Sequence, residues 1–444
     1  MKIAILHEML VKLGGAEKVV EKMMAIFSDA DLYTLIYDEE KVGKVFGKDK
    51  VKVSMLTQRI YKIIKNQRFC LPFMSRAVES LDFSNYDVLL CSSSGFAHGA
   101  ITKPETKFIV YYHSPSRYLW DWTNEYKRDI GFDKGIKGYI LSKLFLKLRI
   151  WDYIASNRVD VNLANSKNSA LRVKKYYRKD CEILYPPIEI SRFSKSIEKS
   201  GVLDEILKKE KLFNDPEKIS GSSPNTKGSP GGQSAEFLGN LKGQSVNKEN
   251  SIKDSETISG LSTRTKDSPE GQSKKIKYYI IISTLTEFKK IDVAIEGFNR
   301  MQDKTLVIIG GGNYKDTLLS KVTGNNIIFT GPRYGDELVE LVQGSLGLVF
   351  PGEEDFGIVP IEAMAAGKPI FAYAGGGLLE TVLEDKTGSF FQDKEGYDFV
   401  SKFSEFDSKV QSGFFKKDFV IDHAKKFDEI NFENRLKEIV FGKK

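Results

Sequence analysis

The sequence predicts an α/β protein built from two doubly wound, Rossmann-like domains. Three observations carry this. Short apolar runs alternate with amphipathic stretches over residues 1–193 and again over 276–415, glycine or small polar residues close most of those runs, and a polar segment, 194–275, separates the halves. The length of 444 residues also exceeds what one ordinary hydrophobic core organises.

Taken in order, KIAIL opens a strand that enters a Gly14-Gly15 loop, followed by a helix with Ala16, Val19, Val20, Met23 and Phe27 at helical spacing. YDVLLCSSS, KFIVYYH and VDVNLANS read as further strands. From Ser194 the texture becomes Ser, Gly, Lys, Asn and Asp. The run ISGSSPNTKGSPGGQS at 219–234 recurs as ISGLSTRTKDSPEGQS at 258–273, with 11 of 16 positions identical. Two polar units have no apolar face to stack, so 194–275 reads as a disordered low-complexity insertion, with a short helix at most over 201–213. YYIIIS, TLVIIG, NIIFTG, LGLVF and PIFAY then read as parallel strands, punctuated by Gly310 to Gly312, Gly331 and Gly375 to Gly377. The last helices, 416–444, carry Phe427, Ile430, Phe432 and Ile439 and can pack on either domain.

The net charge of +7 is unevenly placed. Residues 1–193 carry 32 Lys+Arg against 22 Asp+Glu, whereas 276–444 carry 21 against 26. The excess concentrates in Arg59 to Arg76 and Lys134 to Arg149, where basic and apolar residues interleave. Such stretches suit an anionic membrane surface; solvated faces of ordinary helices give the same pattern. No nucleic-acid reader motif is present, so nucleic acid is not an expected partner. Three separated cysteines, Cys70, Cys91 and Cys181, argue against a disulfide framework or a structural zinc site. With no signal-peptide pattern and no long apolar run, a cytoplasmic protein is expected, at most peripheral at the inner face of the membrane.

The most informative stretch is EDFGIVPIE, which places Glu354 at the carboxyl end of a strand and Glu362 in the first turn of the next helix, with Pro360 in that turn and Gly367 past its end. In an open parallel sheet ligands bind there. Helix-start N–H groups suit a phosphate and the carboxylates suit hydroxyls, a pairing that describes a sugar nucleotide. Neither a P-loop nor a complete GxGxxG with its acidic partner is present.

GGAEKVV at 14–20, YYHSPSRYLWD at 111–121, NSKNSALRVKKYY at 165–177, YPPIEISRF at 185–193, FKKIDVAIEGFN at 288–299 and EDFGIVPIEAMAAGKPIFAYAGGGLLETV at 354–382 resemble glycosyltransferase family 4. The branch they resemble includes bacterial O-antigen mannosyltransferases. The resemblance implies the GT-B architecture, with the two domains facing each other across a cleft. It further implies that Glu362 holds the nucleotide ribose, that Glu354 contacts the transferred sugar beside the backbone of Phe356 and Gly357, and that Lys289 neutralises the diphosphate with help from Gly14 and Gly15. His113 would meet the sugar or the acceptor. One departure stands out: in STLTEFK, Thr284 occupies the place of the family's arginine, so a neutral hydroxyl replaces a bidentate cation. Arg333 and Arg117 are the candidate substitutes.

The resulting expectation is a retaining hexosyltransferase that uses a nucleotide sugar, GDP-mannose by resemblance, and neither metal nor cofactor. Its acceptor would be a lipid-linked or polysaccharide glycan of cell-surface biosynthesis. A sugar-nucleotide epimerase and a non-catalytic sugar-nucleotide-binding protein remain as alternatives.

Overall fold

The computed structural model describes residues 1–195, 197, 201–213 and 276–442. The first domain forms a seven-stranded sheet from β1 (Ile3–Leu10), β2 (Asp31–Tyr37), β3 (Val51–Val53), β4 (Val88–Ser93), β5 (Lys107–Tyr112), β6 (Val161–Ala164) and β7 (Glu182–Ile183), in the order β3-β2-β1-β4-β5-β6-β7. The second forms a six-stranded sheet from β8 (Tyr278–Ile282), β9 (Thr305–Ile309), β10 (Ile327–Gly331), β11 (Leu348–Phe350), β12 (Ile370–Tyr373) and β13 (Gly388–Phe391), in the order β10-β9-β8-β11-β12-β13. Every pairing between these strands is parallel. This is the GT-B fold. Chain order reverses between β1 and β4 in one sheet and between β8 and β11 in the other, and the carboxyl ends of strands at such points leave a crevice.

Helices cover both faces of each sheet, which explains why the central strands are apolar throughout rather than alternating. The helix Gly15–Ile26 lays Val19, Val20 and Met23 on Ile3, Ile5 and Leu32, while Phe83, Phe108, Phe145 and Tyr177 fill the opposite face. The second domain is packed by aromatic rings. Phe399, Phe403 and Phe406 of the helix Phe399–Gln411 meet Tyr279, Phe298 and Phe371.

The chain ends by crossing back. The helix Lys417–Ala424 stays with the second domain, where His423 Nε2 lies 2.8 Å from the Thr381 carbonyl oxygen. The helix Glu429–Phe441 instead joins the first-domain core through Phe432, Leu436, Ile439 and Val440. Ile430 is 62% exposed, because it lies two residues from Phe432 and therefore on the opposite side of the helix.

The expected insertion starts too early at residue 194. The helix Ile190–Ser194 runs through that boundary, and Gln343 Nε2 donates to the Phe193 and Lys195 carbonyls at 2.9 and 2.6 Å. Residues Val202–Phe213 are a helix, with the Gly201 and Val202 amides donating to Glu340 at 2.8 and 3.1 Å. The two repeats lie outside the described residues. The packing of the last helix predicts that Phe432→Ala lowers unfolding free energy by about 3–5 kcal/mol, while Ile430→Ala changes it by no more than about 0.5 kcal/mol; denaturant midpoints of the two variants check this.

Candidate active site

The loop after β11 is held by the glycines after β12. The Gly377 amide donates to the Glu354 carbonyl at 2.8 Å. Gly376 has φ of +59°, and a Cβ there would stand 2.2 Å from the same carbonyl oxygen. Only glycine permits both the left-handed backbone and that approach. Gly357 (φ +86°) then turns the chain into the helix Ile358–Ala365. The Glu354 side chain is thus presented by a loop fixed at both ends.

A cavity of about 520 Å³ opens between the two switch points. The first domain lines it with Gly15, Ser94, His113, Ser114 and Arg117, and the second with Thr284, Lys289, Glu354, Phe356 and Gly357. Lys289 Nζ is in direct contact with Glu354 Oε1. Two buried polar atoms of the lining, Ser114 Oγ and Arg117 Nε, have no hydrogen-bond partner among the described residues. Arg117 Nε stands 3.4 Å from Asp121, and its guanidinium lies 5.5 Å from the Trp122 ring centre.

Several residues expected in the site fall elsewhere. Arg333 lines none of the cavities described here; its guanidinium donates to the Thr330 carbonyl at 2.9 Å and pairs with Glu337 at 3.4 Å. The Gly14 amide is taken by Glu17 Oε2 at 2.9 Å, a helix-start cap, so it is not free for a phosphate. Glu362 is in the second turn rather than the first, because the helix begins at Ile358. It lines an adjoining cavity of about 400 Å³ together with Ile358, Lys18 and Arg192. Burial pushes its carboxyl above the usual range, while the charges of Lys18 and Arg192 pull the other way.

His113 lies on the cavity wall just after β5. Its Nε2 lies 2.8 Å from Ser92 Oγ. Burial, with the charge of neighbouring His7 second, pushes its pKa down to about 4, so the ring is neutral at physiological pH.

His7, Glu8 and Arg172 were not among the residues expected in the site. Glu8 Oε1 accepts from Ser93 Oγ and from the amides of Ser94, Gly95, Phe96 and Ala97, all at 2.8–3.1 Å, and so holds the loop that follows β4. The available signal was the HE pair inside an otherwise apolar strand, since a buried charge must be paired. Arg172, only 10% exposed, reaches from the helix Lys167–Tyr177 to Asp121, Glu353 and Asp355.

Residues 262–408 match the family model for glycosyl transferases group 1. The match falls largely on the second domain. A sulfoquinovosyl transferase of Arabidopsis thaliana is 33% identical over 118 residues, which are 26% of this chain and 23% of that protein. A GDP-mannose-dependent alpha-(1-6)-phosphatidylinositol monomannoside mannosyltransferase of Mycobacterium tuberculosis is 37% identical over 103 residues, 20% of this chain and 26% of that protein. The chain thus spans about a quarter of the length of these curated relatives. The crystal structure of Anabaena HepE in complex with UDP aligns over 100% of both chains with a TM-score of 0.63 at 13% identity, a likeness of fold.

Neutral His113 also makes a stability prediction. The unfolded ring takes a proton near 6.5 and the folded one only near 4, so its contribution is complete above 6.5 and is lost as pH falls through that window. Between pH 6.5 and 4, wild type should lose more stability than His113→Asn, as read from paired denaturant titrations.

Proposed function

We propose that the protein transfers a hexose from a nucleotide sugar to a lipid-linked or polysaccharide glycan acceptor, with retention at the anomeric carbon. One observation carries the reading. Lys289, Arg117 and the Glu354 loop converge on one cavity at the carboxyl ends of both sheets. A departing nucleoside diphosphate needs its charge stabilised at fixed positions, and two cations with the helix-start amides after Gly357 supply this without a metal. Arg117 takes the part of the arginine that Thr284 replaces, since both line this cavity and Arg333 does not. Glu354 accepts from the sugar hydroxyls once Lys289 turns to the phosphates. Glu362, in the adjoining cavity, holds the ribose.

GDP-mannose is the proposed donor, in keeping with the mycobacterial relative; Anabaena HepE is in complex with UDP, so a uridine nucleotide is the competitor to test. Purified protein should be stabilised thermally by GDP-mannose, turn it over in the presence of a lipid-linked glycan, and do so unchanged with chelator. Stabilisation and turnover by UDP-sugars alone would reject the donor assignment. Glu362→Gln should weaken donor binding by about 1.5–3 kcal/mol, the worth of a charge-assisted hydrogen bond, measured by calorimetry.

The acceptor side is supported by a cavity of about 880 Å³ that shares Arg117, Lys289 and Glu354 with the first. Trp122, Tyr126, Phe288 and Tyr373 alternate there with Glu125, Asp129 and Glu353, ring faces and carboxylates that suit sugar units. Among the described residues no helix is long and apolar enough to cross a membrane. The helix Gly135–Ala155, however, exposes Ile136, Ile140, Leu146, Ile150 and Ile154 among Lys137, Lys143 and Lys147, which supports docking on an anionic surface where the lipid-linked acceptor resides. Sedimentation with phosphatidylglycerol vesicles should show binding that Lys137→Ala with Lys143→Ala weakens by about 2 kcal/mol, given about 1 kcal/mol per basic residue.

A further inference from the structure

Asp121 stands between two arginines. Its Oδ2 is 3.4 Å from Arg117 Nε and 3.3 Å from Arg172 Nε, so one carboxylate oxygen faces the inner nitrogen of each guanidinium. The placement follows from the local chain. Residues 117–122 form a tight turn in which the Trp120 and Trp122 amides donate to the Arg117 carbonyl at 3.1 and 2.8 Å, and this brings Asp121 back to the Arg117 side chain. Trp120 ties the turn down: its ring stacks on Tyr176 with centres 4.8 Å apart, and its Nε1 donates to buried Asp152 at 2.8 Å. Tyr176 and Arg172 are four residues apart on the helix Lys167–Tyr177 and share a face, which sets Arg172 opposite Asp121.

The two guanidiniums differ at their outer nitrogens. In Arg172, Nη1 contacts Asp355 directly and Nη2 lies 3.9 Å from Glu353, so the outer end meets two carboxylates of the second domain. In Arg117, Nη1 and Nη2 make no hydrogen bond among the described residues, and the side chain lines both the cavity of about 520 Å³ and that of about 880 Å³. Asp121 and Arg172 line neither of these cavities. We propose that Asp121 is a positioning residue: by holding Nε it aims the outer nitrogens of Arg117 at a diphosphate in the cavity, as it aims those of Arg172 at Asp355 and Glu353.

The diphosphate as the partner of Arg117 rests on the glycosyltransferase reading; the hold of Asp121 on both arginines does not. A guanidinium is a rigid, planar fork of N–H donors, so fixing the direction of Nε fixes that of Nη1 and Nη2 as well. Arg117 can therefore keep Asp121 at Nε while its outer nitrogens take phosphate oxygens, and a fork already aimed loses less freedom on binding than one on an unheld side chain. Charge and position act in opposite directions here. The Asp121 carboxylate repels an entering anion, so a role through charge alone predicts tighter anion binding when the charge is removed. A positioning role predicts weaker binding.

The test uses inorganic pyrophosphate as the probe, titrated calorimetrically into the full chain. Asp121→Ala should weaken binding by about tenfold, the scale of one charge-assisted hydrogen bond. Asp121→Asn, which keeps an oxygen to accept from Nε–H but loses the charge, should weaken it by no more than about threefold. In Arg117→Ala, which itself weakens binding, adding Asp121→Ala should cost nothing further, because the residue that Asp121 aims is gone. Tighter binding in either Asp121 variant, unchanged binding in Asp121→Ala, or a loss that persists in the Arg117→Ala background would overturn the proposal and leave the diphosphate site standing. A wild type that does not bind pyrophosphate, or whose binding is unchanged in Arg117→Ala, would overturn the diphosphate reading of Arg117 and the proposal with it.

Discussion

The Glu353–Phe356 loop is the constraint on which the cleft depends. It is fixed from behind by the Gly377 amide and the close approach of Gly376, and from the front by Arg172, which crosses from the first domain to Asp355 and Glu353. Asn168 Nδ2 adds a hydrogen bond to Asp355 at 3.2 Å, and the Lys167 amide donates to Glu380 at 3.0 Å. Loss of one partner in a pair buried to this degree leaves an uncompensated charge, which costs far more than a surface pair does. The first two turns of one helix, Lys167–Tyr177, therefore tie the two domains together at the level of the site.

Within that arrangement the cations of the cavity have protein partners. Lys289 is held by Glu354, and Arg117 by a long contact with Asp121 and the face of Trp122. On the proposed reading, a diphosphate entering the cavity would offer both cations better partners than they have, and would free the Glu354 carboxylate for a hydroxyl donor, linking phosphate and sugar binding through one side chain. On the first-domain side the wall is stiff: Glu8 satisfies four consecutive amides after β4, and neutral His113 is anchored through Ser92.

Much of the fold was legible because period and punctuation agree. Apolar runs such as TLVIIG and NIIFTG end in glycines, so the central strands of both sheets follow from pattern, whereas β2, β3, β7 and β13 were not read from the sequence. Glu354 was singled out by its place at a strand end, and Lys289, Phe356, Gly357 and His113 by the family resemblance; all five line one cavity. What was not legible depends on contacts distant in sequence. Which core the final helix joins is decided by Phe432 and Leu436 finding Val19 and Met23, and no local pattern expresses that. Arg333 was a sound candidate by charge, yet its own loop and Glu337 claim it. Arg172 looks like an ordinary helix arginine in sequence, and its role exists only once the second domain faces it.

The central claim is that one cavity binds the nucleoside diphosphate through Lys289, and that Glu354 competes for that lysine until a sugar replaces it. Calorimetric titration of a nucleoside diphosphate without its sugar, into wild type, Lys289→Ala and Glu354→Gln, tests this directly. The account predicts that Lys289→Ala weakens binding, whereas Glu354→Gln, which releases the lysine, tightens it by roughly tenfold, about 1.4 kcal/mol for a partly buried charge pair. Equal or weaker binding by Glu354→Gln, or unchanged binding by Lys289→Ala, would contradict it.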